Sequence, residues 1–195
     1  MLQATHILAT LGQLDTAESK LNTVRALIKE HTPANTSEET VALELFLDFE
    51  DANLSWLRDD NREAVLKKLE MALKKYTPTL KESPSRYSYE GLQIRRAFIL
   101  ADLGRWKEAL PILEGITSPQ EYREGVAFYL GHCYVSGKEY KKAKPYLVEA
   151  LKLGLPPSLE YRAHNELGIV YFALGGYAQV KIELRKRSKV QNLHT

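Results

Sequence analysis

Leu130-Gly131-x-x-Tyr134 followed by Ala143-x-x-x-Leu147, and then Leu167-Gly168-x-x-Tyr171 followed by Val180-x-x-x-Leu184, are the passages that decide the fold of this chain. In each, the Leu and the Tyr stand four apart, on one face of a helix, and a glycine sits inside the pattern. Glycine costs a helix interior about 1 kcal/mol relative to alanine. Its use twice in the same place predicts a second helix that approaches too closely to admit a side chain there. The small residue and the Leu four further on would fill the space around the contact. Two consecutive helical hairpins follow.

This order of residues resembles the tetratricopeptide repeat, whose pattern is an aromatic or apolar residue, Leu-Gly, an aromatic three further on, and later Ala-x-x-x-Phe. The frame extends toward the N-terminus. Gln93-x-x-Arg96-Ala97-x-x-Leu100, Gly104, Trp106 and Ala109-x-x-x-Leu113 keep the turn and the second helix, with Arg96-Ala97 in place of Leu-Gly. Phe49-x-x-Ala52-Asn53-x-x-Trp56 with Val65-x-x-x-Leu69, and Met1-x-x-Ala4-Thr5-x-x-Leu8 with Ala17-x-x-x-Leu21, are divergent copies. Thr5, Asn53, Ala97, Gly131 and Gly168 hold the glycine place at intervals of 48, 44, 34 and 37. The resemblance implies an all-α, right-handed superhelix (a TPR solenoid) of about five antiparallel helix pairs in one domain over 1–195. The divergent repeats are 1–34 and 36–76, a loop spans 77–86, and the regular repeats are 87–117, 121–154 and 158–189, with a basic tail over 181–195.

Composition narrows the class of protein. With 44% hydrophobic and 27% charged residues of mixed sign, the chain has enough apolar content to fold and no reason to stay disordered. Its 27 basic and 25 acidic residues, net +2, favour no nucleic-acid partner. No apolar run approaches the roughly 18 residues that cross a bilayer, so no membrane partner is expected. The start, Met1 to His6, has neither the basic segment nor the apolar core of a signal peptide, which points to the cytoplasm. The single cysteine, Cys133, rules out an internal disulfide.

Local signals place the breaks. Thr36-x-x-Glu39 and Asp60-x-x-Glu63 read as capping boxes. Gly104, Gly137 and Gly175 each fall between the helices of a pair, where a left-handed residue ends the first helix, and Gly154 precedes Pro156-Pro157. Pro111 and Pro145, 34 residues apart, predict second helices that begin shortly before them. The polar, proline-marked stretch from Tyr76 to Ser85 predicts an exposed loop.

The candidate chemistries fail on geometry. Gly131 to Lys138 resembles a phosphate loop, but five residues separate its glycines and Glu139 stands where Ser or Thr would bind magnesium. His132 and Cys133 are neighbours about 100° apart on a helix, with His164 a repeat later; they form neither a metal set nor a nucleophile with its base. Glu50-Asp51 and Asp59-Asp60 suit helix solvation and capping better than acid catalysis. The basic run Lys181 to Lys189 opposes the dipole of a final helix. No catalytic residue, metal or cofactor is expected.

The resemblance also implies a concave groove lined by first helices, which usually holds a peptide or a partner's helix. Its inward positions here are Ile94, Phe98, Ala101 and Asp102; Phe128, His132, Val135 and Ser136; and Arg162, Asn165, Ile169 and Phe172, flanked by Arg95, Tyr129 and Glu166. The Lys/Asn carboxylate clamp of many family members is absent, the matching places holding Ile94, Phe98, Tyr129, Arg162 and Glu166. An aromatic floor of Phe98, Phe128 and His132, with Arg95, Asp102 and Arg162 for orientation, is the expectation. The implied function is a non-catalytic protein-binding scaffold. The alternative is a self-associating unit, a homo-oligomer or part of a larger assembly.

Overall fold

The computed structural model describes residues 13–31, 44, 47–52, 54–55, 58, 61–80, 89–116 and 122–192. The readings on Met1 to Leu8, the Thr36 capping box, Asn53 and Trp56 lie outside them. The helices with defined bounds are α1 (Leu14–His31), α2 (Arg62–Leu80), α3 (Tyr89–Asp102), α4 (Trp106–Glu114), α5 (Arg123–Ser136), α6 (Tyr140–Leu153), α7 (Pro157–Ala173) and α8 (Tyr177–Asn192). No strand occurs among the described residues, and the all-α reading holds. Contacts divide the chain into two compact units, 1–99 and 100–195, with the boundary inside α3.

In the first unit, α1 turns Ala17, Leu21 and Val24 inward against Leu47 and Leu54, with Leu14 and Ile28 at the margin. Leu27, on the same helix, is exposed. Two arginines fix the direction of the neighbouring segment. Arg25 donates to the Leu47 carbonyl at 3.1 Å and to Asp48 at 3.2 Å, while Arg58 reaches Glu18 and Asp15, each at 2.5 Å. Rising numbers on one side meet falling numbers on the other, so the segment runs antiparallel to α1. α2 buries Val65, Leu66, Leu69, Ala72 and Leu73 at helical spacing. Asn61 caps it, its Oδ1 accepting from the amides of Glu63 at 2.9 Å and Ala64 at 3.4 Å, and Asp60 of the expected capping box lies outside the described residues. α2 also runs through Thr77-Pro78-Thr79 to Leu80, so the loop expected from 77 begins as helix.

In the second unit, α5 and α6 form one hairpin and α7 and α8 the next, with α4 against α5 and α7 against both α5 and α6. Ala109 and Leu113 of α4, Ala143 and Leu147 of α6, and Gly131 and Leu167 of the first helices are buried at the seams the spacing predicts. Gly104 and Gly175 are left-handed, φ 76° and 79°, and end their helices as expected. Gly137 is not left-handed (φ −79°); that place belongs to Lys138, φ 61°. Gly137 answers to a different constraint, since a Cβ there would stand 3.3 Å from the Trp106 ring. Pro111 and Pro145 lie inside α4 and α6, five residues past their first residues, beyond the first turn where the missing N–H would cost nothing.

Candidate functional site

The first helices of the second unit bring charged groups over buried rings. α3 ends on Asp102, α5 supplies Phe128, Tyr129 and His132 along one face, and α7 supplies Arg162, Asn165 and Glu166. Arg162 Nη1 donates to Asp102 Oδ1 at 3.0 Å, and the Tyr129 hydroxyl donates to Asp102 Oδ2 at 3.1 Å. The guanidinium lies over the Phe128 ring, 5.0 Å from its centroid, and 5.8 Å from that of Tyr129. Phe128 and Tyr129 meet edge to face at 5.0 Å, and the His132 ring stacks on Phe128 at 6.1 Å.

Electrostatics keep the Tyr129 phenol and the Arg162 guanidinium protonated. Burial, and then the Asp102 carboxylate, push the Tyr129 phenol well above its ordinary range, so it remains a donor. Burial works against the Arg162 charge, but Asp102 and Tyr129 more than offset it and raise its pKa. His132 Nδ1 lies 2.6 Å from Glu166 Oε1, where the carboxylate can only accept, so the imidazole donates. Glu166 Oε2 is buried with no hydrogen-bond partner among the described residues.

The sequence-chosen groove positions separate by environment. Phe128 is fully buried and Tyr129, Ile94 and Phe98 nearly so. The aromatic floor is therefore covered rather than open, because Arg162 roofs Phe128 from the following repeat. Arg95, in the first unit, places its guanidinium 6.0 Å over Phe49. Asn165 accepts from Arg187 Nη1 at 2.7 Å and is engaged within the last pair. Ile169 is exposed. Asp102, His132 and Arg162 remain partly accessible, and they are polar. The contact that sequence reasoning missed is His132 to Glu166, and a signal existed: both that pair and Phe128–Arg162 are 34 residues apart, one helical turn short of the 37-residue glycine interval.

Cys133, His164 and the Gly131 stretch are each engaged within the helices. Cys133 is buried, and burial followed by the Glu166 carboxylate pushes its thiol up to about 12, which makes it a poor nucleophile. His164 Nδ1 is held by Glu183 at 2.6 Å. Residues Gly131 to Ser136 are helical, so their amides are spent within α5 rather than cradling phosphate. Among the described residues no group of three or more His, Cys, Asp or Glu could hold a metal ion, and no helix is long and apolar enough to cross a membrane. An open cleft of about 230 Å³ in the first unit is lined by Arg25, Asp48, Asp51, Lys68, Met71 and Ala72, but its charges are paired, Lys68 with Asp51 at 3.0 Å and Arg25 with Asp48.

No protein-family model and no curated protein matches the sequence. Solved structures do. BtubC (BKLC) from P. vanneervenii is similar with a TM-score of 0.64 and 18% identity, over 97% of this chain and 77% of that one. A Podosopora anserina protein of nearly identical TPR-like repeats gives 0.59 and 18%, over 97% and 92%. YrrB, a TPR protein with an unusual peptide-binding site, gives 0.58 and 15%, over 99% and 86%. At such identities the likeness establishes the fold.

Proposed function

From the tetratricopeptide-type fold of this chain, we propose that it is a non-catalytic scaffold that binds a peptide or helix of a protein partner along its first helices, needing no cofactor. The observation that carries this reading is Arg162. Its guanidinium is partly exposed, tied to Asp102 and stacked on buried rings, so it is held in place before any partner arrives. Its unused N–H groups, with the accessible edge of His132, suit the carbonyl oxygens or an acidic side chain of a bound segment. Phe128 and Tyr129 support α5 from inside, and the partner meets the polar layer above them. YrrB, whose described property is a peptide-binding site, has the same fold.

Selection of a displayed random-peptide library on the immobilised chain tests the reading. Enriched peptides should lose at least about tenfold in affinity for Arg162→Ala combined with His132→Ala, a typical hot-spot effect. Unchanged affinity for a double variant that retains its circular dichroism would place the binding elsewhere.

A further inference from the structure

We propose that the exposed apolar face of the α7/α8 pair docks an amphipathic partner helix whose apolar stripe is flanked by acidic side chains. The inner seam shows what such a face is built to hold. Leu147 of α6 is fully buried in its hairpin; Leu184, at the same place in α8, is 40% exposed. Ile169 and Phe172 of α7 stand 44% and 64% exposed, and the Phe172 ring meets the exposed Tyr177 ring edge to face at 5.8 Å. Apolar side chains exposed together in this way mark an interaction site rather than a solvated face.

Charge selects the occupant. Where one repeat meets the next, a charged residue of the second helix engages a tyrosine of the following first helix: Glu114 accepts from the Tyr134 hydroxyl, and Lys144 Nζ lies 5.1 Å over the Tyr171 ring. The corresponding places in α8 are Lys181 and Arg185, both exposed, and Lys189 is a further exposed cation of that helix. The α8 carboxylate Glu183 is already bound by His164 and Lys186. Two copies meeting face to face would oppose two basic α8 helices. An acidic helix instead gains both the apolar contact and the ion pairs.

The probe is a fluorescent synthetic helix of about 18 residues, long enough to form a helix, with leucines at i, i+3 and i+4 spacing and flanking glutamates, together with a twin in which lysines replace the glutamates. Titrated with the full chain, the glutamate helix should bind at least tenfold more tightly than its twin. Leu184→Ser should weaken it at least tenfold. Lys181→Glu with Arg185→Glu should reverse the preference. All three positions are exposed, and melting curves would check that the variants fold. The proposal deepens the scaffold reading but is separable from it, because Arg162→Ala should leave this affinity unchanged. Loss of affinity with Arg162→Ala alone would move the peptide to the first-helix layer and overturn the proposal. So would equal binding of the two helices, no binding, phosphatidylserine-vesicle binding that competes with the glutamate helix, or a dimer that Leu184→Ser dissociates.

Discussion

A Cβ built on Gly131 would stand 2.6 Å from Leu147 Cγ, whereas one built on Gly168 would meet Leu184 no closer than 3.9 Å, although both pairs are 16 residues apart in the sequence. The same Leu-Gly signature therefore answers to two constraints. Leu147 is fully buried and its backbone nitrogen is 3.3 Å away, so it cannot swing aside. Gly131→Ala should destabilise the chain by about 1–3 kcal/mol through overpacking. Gly168→Ala should stabilise it by about 0.5–1 kcal/mol, since the methyl group fits and the helix gains a better former. Urea denaturation of both variants checks this; shifts of the same sign would refute it.

Lys138 occupies the left-handed place that Gly104 and Gly175 hold in the neighbouring repeats. A side chain there crowds its own carbonyl, which glycine avoids. Lys138→Gly should raise stability by about 0.5–1 kcal/mol, the relief of strain being partly cancelled by a more flexible unfolded chain. A lower melting temperature for this variant would mean that Lys138 makes a compensating contact.

The fold was legible because helix pairing writes itself into local spacing. Leu130, Gly131, Tyr134, Ala143 and Leu147 all lie where their pattern placed them. The turn glycines were read less well: Gly137 stands beside the left-handed residue, and its purpose is room for Trp106, a neighbour 31 positions away that no local motif discloses. The aromatic floor was misread for the same reason. The repeat resemblance put Phe128 on an inward face, but whether that face is open depends on Arg162, one repeat later. Only a search for pairs at 34-residue separation would have found it.

Cys133 offers a pH test. Its thiol is pushed up to about 12 from the ordinary 9.0, so between these values the folded chain holds a proton that the unfolded chain has lost. Stability from this group is complete below the unfolded value and falls as pH rises toward the folded one, by at most about 1.4 kcal/mol per pH unit. Relative to Cys133→Ala, the wild-type chain should lose stability steadily above about pH 9. In the native state at neutral pH, Ellman's reagent should react at least about 100-fold more slowly than in denaturant, because both exposure and thiolate are lacking. Fast native labelling would contradict the burial.

Arg162 does two things, pairing with Asp102 at 3.0 Å and covering the Phe128 ring, and substitution can separate them. The ion pair is partly solvated, so its share should be small, about 0.5–1 kcal/mol. The planar guanidinium over a buried ring adds packing that an ammonium group cannot reproduce. Arg162→Ala should therefore destabilise the chain by about 1–2 kcal/mol, and Arg162→Lys, which keeps the charge, should recover less than half of that. Tyr129→Phe removes the other donor to Asp102 and should cost about 1 kcal/mol. Chemical denaturation of the three variants reads these values directly. Full recovery by lysine would show that charge alone holds the layer, and the stacked geometry would then contribute nothing to its rigidity.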